Sequence, residues 1–184
     1  MAKYTRFESV NMLSTRGAKR IFDAVSSTDV ENGTFGYIEE LATGEDVTYT
    51  FHPGTKAGAT LVVVDNPAWD YDTCKRSNQR RDKYVVPAGV KFCARELALN
   101  DEFGITVDGV TTATQSEMKK DAFLTIDTTG KLVAASATAK TSSSTPQFEA
   151  KVMRARTSGT TLSTTARTYG YSAVVYEAKV TILS

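Results

Sequence analysis

A single histidine, His52, stands in 184 residues, and that scarcity sets the first limits on function. Mechanisms of the Ser/His/Asp or Cys/His kind need an imidazole to carry the proton. His52 precedes Pro53 at the end of a strand-like stretch, where it reads as a loop or strand-edge residue, and no Gly-x-Ser-x-Gly elbow accompanies it. Cysteine is almost as rare. Cys74 and Cys93 stand well apart and, with one histidine, fall short of the four ligands of a structural zinc site. In a chain of cytoplasmic character they read as reduced, partly buried thiols, with pairing open to them under oxidising conditions. Long apolar runs are missing as well. The longest aliphatic run, Leu61-Val62-Val63-Val64, is far short of the roughly 20 residues of a spanning helix. The charges among the first eight residues are followed by no apolar core, so they do not read as a secretory signal. Nor is there an excess of either charge: 22 basic and 21 acidic side chains leave a formal net charge of +1. A protein built to neutralise nucleic-acid phosphates is normally far more basic, which disfavours nucleic acid as a partner.

Two weaker motifs also fall away. Asp65, Asp70 and Asp72 lack the ligand spacing and terminal Glu of a calcium loop, and read as turn-forming residues. Gly54-Thr55-Lys56-Ala57-Gly58 lacks the Gly-Lys-Ser/Thr ending of a phosphate loop. The expectation is a protein that is not an enzyme and uses no cofactor and no metal.

What is present is enough apolar material for a core, 41% of residues, with Thr, Ser and Val abundant and helical Leu/Glu/Lys periodicity missing. That balance favours pleated strands. Three tracts separate. Residues 1–30 carry scattered apolar side chains (Phe7, Val10, Met12, Leu13, Ile21, Phe22, Val25) at no helical spacing, with Gly17 interrupting. They read as an extended arm that gains order on a partner, with one short helical turn around Ala18 to Ala24.

Residues 31–110 read as a compact β unit. Asn32-Gly33 is a tight-turn signal before Thr34-Phe35-Gly36-Tyr37-Ile38, and Ala42-Thr43-Gly44-Glu45 is a turn before Val47-Thr48-Tyr49-Thr50-Phe51. Leu61 to Val64 is a buried strand, Val90 to Arg95 another, and Phe103-Gly104-Ile105-Thr106-Val107 closes the unit. Between them a basic loop, Lys75-Arg76-Ser77-Asn78-Gln79-Arg80-Arg81-Asp82-Lys83, reads first as solvated, next as facing an acidic protein surface through Lys75, Arg76, Arg80 and Arg81, and last as a phosphate contact on nucleic acid. Trp69 and Tyr71 read as anchors of that loop on the core in preference to a stacking platform for bases.

Residues 111–184 form a third, β-rich tract that either packs into the same body or stands apart. A hairpin is expected where Phe123 to Asp127 and Lys131 to Ala134 flank Thr128-Thr129-Gly130. Phe148-Glu149-Ala150-Lys151-Val152 recurs nearly unchanged as Tyr176-Glu177-Ala178-Lys179-Val180, so the two strands are candidates to pair antiparallel, with Glu and Lys toward water. Ser/Thr-rich stretches at 136–145 and 157–168 read as long loops. The fold class is therefore mainly β: a β-barrel or β-sandwich body with an extended N-terminal arm and long Ser/Thr-rich loops.

The tract from Asn32 to Val110 resembles the capsid decoration (cement) proteins of tailed bacteriophages. The order of features carries the likeness: Asn32-Gly33-Thr34-Phe35, then Gly44-Glu45-Asp46, a short aliphatic strand, Pro67-Ala68-Trp69-Asp70-Tyr71-Asp72, Gly89 through Leu97, and Asn100-Asp101-Glu102-Phe103-Gly104-Ile105. The likeness spans somewhat under half of the chain; the basic loop and Ser/Thr-rich insertions depart from the shorter family pattern. The resemblance implies a non-enzymatic virion protein, made in the host cytoplasm and bound to the exterior of the assembled capsid. Its partners would be the major capsid protein and further copies of itself in a trimer or dimer, with no membrane. On that reading the arm residues Phe7, Val10, Met12, Leu13, Ile21 and Phe22 carry the capsid contact. Two other readings remain: a phage tail or fibre-associated structural protein, which shares the Thr-rich β style, and a non-viral carbohydrate-binding β-sandwich, for which Tyr169 and Tyr171 are the close aromatic pair.

Overall fold

A computed structural model describes residues 5–66, 85–136, 147–158 and 173–183. The chain is mainly β, as its composition implies, and its strands make two bodies. Strands β2 (Ile21–Val25), β5 (Thr48–Pro53), β4 (Phe35–Leu41), β6 (Thr60–Val64) and β8 (Lys91–Glu96) close, in that order, into a five-stranded barrel. The β2–β5 pair is parallel and the others are antiparallel. Beside the barrel lies a six-stranded antiparallel sheet ordered β1 (Phe7–Asn11), β9 (Glu102–Thr106), β13 (Ala173–Leu183), β12 (Phe148–Ser158), β10 (Phe123–Ile126), β11 (Leu132–Ala135). A two-stranded ribbon, β3 (Val30–Glu31) with β7 (Val85–Val86), sits at the barrel.

The run Leu61 to Val64 shows why the two bodies form one structure. Side chains alternate across a strand, so Val62 and Val64 enter the barrel while Leu61 and Val63 face the sheet. A strand buried on both faces has no polar position, and the sequence shows none. Inside the barrel, Ala24, Ile38, Phe51, Phe92 and Ala94 join Val62 and Val64, with Phe51 and Phe92 edge to face at 5.5 Å. Gly36 makes room for this: a Cβ there would lie 2.3 Å from the His52 carbonyl oxygen and 2.5 Å from the Phe51 ring.

Between barrel and sheet, Phe35 of β4 touches three sheet aromatics, its ring centroid 5.4 Å from Phe103, 5.5 Å from Phe148 and 6.3 Å from Phe7. The β10–β11 hairpin turns at Thr128-Thr129-Gly130 as expected, and its tip docks on the barrel. Asp127 Oδ1 accepts from the Thr129 and Lys131 amides, and Phe35 N–H donates to Gly130 O at 2.8 Å. Gly130 has φ +79°, and a Cβ on it would meet Phe35 O at 2.3 Å, so two independent constraints select glycine.

Several expectations are corrected. Residues 7–11 and 21–25 are not an arm: β1 pairs with β9 and β2 pairs with β5 and β8. Of the expected helical turn around Ala18 to Ala24, Ile21 to Ala24 are strand, because β5 and β8 offer this part of the chain a ladder on each side. The β unit of residues 31–110 is also divided differently. Barrel strands run from β2 to β8, whereas Glu102–Thr106 belongs to the sheet, its Phe103 and Ile105 lying in the interlayer core. The matched Phe148 and Tyr176 segments do pair antiparallel, with Lys151 opposite Lys179, but Glu149 and Glu177 are buried rather than turned to water. The two 3-10 segments, Val107–Gly109 and Thr112–Glu117, had no sequence signal; they cover the outer edge of β11 through Thr111 N–H to Leu132 O.

Candidate functional site

The expected contact residues separate by burial. Phe7 and Met12 are core side chains, Phe7 stacked on Phe103 at 5.8 Å. Burying each stabilises the fold by about 1.5–3 kcal/mol, so neither is available to a partner. Phe22 is half-buried, edge to face with Tyr49 at 5.2 Å. Val10, Leu13 and Ile21 do face solvent, and the structure adds Leu99, which sequence reading missed because it sits in a turn with no periodic signal. Their exposure runs from 37% at Leu13 to 52% at Leu99, high for aliphatic side chains.

Leu13 and Leu99 lie on the two connections between sheet and barrel, β1 to β2 and β8 to β9, and Val10 and Ile21 lie in the strands β1 and β2 that flank the first of them. Asp101 joins the two connections. It is fully buried, and its carboxylate accepts from Leu13 N–H at 2.9 Å and from Ala98 N–H at 2.8 Å. Its backbone carbonyl also accepts from β13, Val180 N–H donating to Asp101 O at 2.9 Å, while Asn100 N–H donates to Val180 O at 3.0 Å. Burial pushes the Asp101 carboxyl above the usual aspartate range, against the opposing pull of its two amide donors. Further along, Glu96 accepts from Lys19 Nζ at 2.6 Å and from Arg20 N–H at 3.1 Å. The apolar side chains of this seam are therefore presented from fixed backbone.

A second constellation lies on the outer face of the sheet. Glu8, Gly104, Glu177 and Arg154 are paired in one row across β1, β9, β13 and β12. Glu177 is clamped by Arg154 at 2.5 Å and by Arg156, and Arg156 continues over Gly104 to reach Glu8. A Cβ at residue 104 would lie 2.8 Å from Val175 Cγ1 and 3.5 Å from Glu8 Cβ, so glycine leaves the guanidinium its passage. The Arg154 hydrogen bond, aided by Arg156, holds the Glu177 carboxyl below the ordinary glutamate value. Both carboxylates are consumed in structural pairing.

His52 lies on β5 with its ring stacked on Tyr37, centroids 5.2 Å apart. A cleft of about 160 Å³ nearby is lined by Tyr37, Pro53, Gly54, Thr55, Ile126 and Asp127, and Asp127 Oδ1 is already engaged in the hairpin turn. Cys93 is half-buried, and desolvation raises its thiol pKa, the opposite of an activated nucleophile. Asp65 is paired with Arg95 at 2.6 Å. Among the described residues, no group of three His, Cys, Asp or Glu side chains is placed to hold a metal, and no helix is long and apolar enough to cross a membrane. Lys75, Arg76, Arg80 and Arg81 lie outside the described residues, as do Trp69, Tyr71, Asp70, Asp72, Cys74, Tyr169, Tyr171 and most of the Ser/Thr-rich stretches.

Barrel and sheets together define a mainly β protein. Comparison of the chain with protein-family models, with curated proteins and with solved structures finds no match.

Proposed function

We propose that the protein is a structural component that docks on other proteins, and specifically a decoration protein bound to the outside of a phage capsid, which it stabilises as a trimer or dimer. The order of strand and turn signals from Asn32 to Val110 supports the capsid assignment, as does the shortage of proton-transfer side chains. The observation that carries the docking role is the seam: Leu13 and Leu99 exposed on two connections pinned by Asp101 and Glu96, with Val10 and Ile21 exposed on the flanking strands β1 and β2. Rigid presentation lowers the ordering cost of association, and repeated weak contacts add through effective concentration once copies assemble. The binding partner is the major capsid protein.

The test uses capsids prepared without this protein and the full chain added back. Occupancy is read by sedimentation and electron microscopy. A variant carrying Val10→Ser, Leu13→Ser and Ile21→Ser should keep its melting temperature and lose at least about tenfold in capsid affinity, the equivalent of 1.4 kcal/mol. Full occupancy by that variant, or binding to tails instead of heads, overturns the assignment. Deleting residues 1–30 is not the cleaner test, because it removes a strand from each body.

A further inference from the structure

The sheet has a second surface of a different kind. Strands β12 and β13 run together for their whole length, but β10 pairs β12 only at Ala150 and Lys151, and the last bonds on that side join Val152 to Ala122 and Asp121. Beyond Val152, the edge of β12 has no neighbour among the described residues. Backbone groups alternate in direction along a strand. Val152 points to the β10 side, and a bulge places Met153 and Arg154 together opposite Glu177, so the register turns the N–H and C=O of Ala155 and Thr157 to the open side. An open ladder of this kind is a template for another strand. The other open edge, β1, is shorter and is broken by a bulge between Ser9 and Asn11.

The two faces beside this edge differ in chemistry. Arg154 and Arg156 lie on the outer face, where they share Glu177, and the Arg154 side chain remains 68% exposed. Ala155 and Thr157 lie on the inner face with Val174 and Tyr176 of β13, continuing the face that carries Ala150 and Val152. Val174 is close to half exposed.

We propose that the open edge of β12 from Met153 to Thr157 receives an extended segment of a partner protein in which apolar and acidic side chains alternate. Addition of a strand would set one set of partner side chains against the inner face of Ala155, Thr157 and Val174 and the other set against Arg154 and Arg156. A second copy of this chain is a poorer occupant: antiparallel self-pairing centred on Ala155 would oppose Arg154 to the other copy's Arg156. This site is separate from the apolar seam, and its test needs no capsid.

The probe is a short capped peptide of alternating valine and glutamate, added to the full-length ¹⁵N-labelled protein at low salt. The peptide should shift the Ala155 and Thr157 amide resonances and slow their exchange. Arg154→Glu should weaken binding by about tenfold, and a valine/lysine peptide should not bind. Ala155→Pro should abolish binding with little change in melting temperature, because that N–H faces the open side of β12 and has no partner among the described residues. If that variant does not fold, a valine/glutamate peptide N-methylated at alternate amides must fail to bind the wild-type protein. Unmoved Ala155 and Thr157 amides, equal binding of the lysine peptide, retained binding of the N-methylated peptide, or self-association through β12 would each overturn the proposal while leaving the capsid assignment to its own experiment.

Discussion

Replacing Asp101 tests the joint between the two bodies. Asp101→Ala removes the acceptor of two backbone donors, Leu13 N–H and Ala98 N–H, at a position with no solvent exposure. Leaving a buried donor unpaired costs about 1–3 kcal/mol. Two donors, partly offset by no longer burying a carboxyl, give an expected loss of about 2–4 kcal/mol. Asp101→Asn keeps one acceptor but turns an NH2 group toward the other donor, so about 1–3 kcal/mol should be lost. Urea unfolding followed by tryptophan fluorescence and circular dichroism gives both values. The pH dependence adds a sign. Because burial raises the folded-state pKa of Asp101, the folded protein holds this proton more tightly than the unfolded chain. The stability it adds is present in acid and is lost as pH rises through the folded value. The deficit of Asp101→Asn relative to wild type should therefore be larger near pH 4 than near pH 7. A loss below about 0.5 kcal/mol for Asp101→Ala would mean that the two amides find water and the joint is not dry. A deficit that grows toward neutral pH would mean that the amide donors outweigh burial.

Glu177→Gln should remove the common partner of Arg154 and Arg156 and lower stability at neutral pH by about 1–3 kcal/mol. Since the Glu177 pKa is lowered in the fold, its contribution is present above the unfolded value and disappears as pH falls through the folded one, so wild type and variant should converge in acid unfolding curves. Gly36→Ala should cost about 3 kcal/mol or more, because the added methyl meets the His52 carbonyl and the Phe51 ring inside a closed barrel; thermal melting of the purified variant, or its failure to accumulate as soluble protein, measures this.

Strand existence was largely legible from local pattern, whereas strand allegiance was not. Leu61 to Val64, the Thr128-Thr129-Gly130 hairpin and the matched Phe148 and Tyr176 segments declare themselves within a few residues. Phe103 to Thr106 also reads as a strand, but alternation says only that one face is buried, not which body buries it. Phe7 and Met12 were misassigned because β1 spans five residues with a bulge, and the partners that bury it lie near residue 103. Glu177 was assigned to water because its two arginines follow the matched segment across a β-bulge, which moves Arg154 and Arg156 onto its face. The seam was half legible. Val10, Leu13 and Ile21 were in the sequence, but the buried carboxylate that fixes their backbone is an ordinary aspartate until the fold brings Leu13 to it.

The threading of the chain through the two bodies governs how it can be built. It begins in the sheet with β1, leaves to make the barrel from β2 to β8, and returns with β9, the immediate neighbour of β1. During synthesis from the N-terminus, Phe7 and Met12 emerge before the barrel, yet β9, the strand that pairs with β1, is made about ninety residues after them. The barrel can close in the meantime, since its strands are contiguous in sequence. The sheet must then form around it, starting from a long loop closure that is slow and leaves apolar surface open to wrong partners. Nascent chains halted before residue 102 should therefore contain a folded barrel carrying a sticky, unpaired leader.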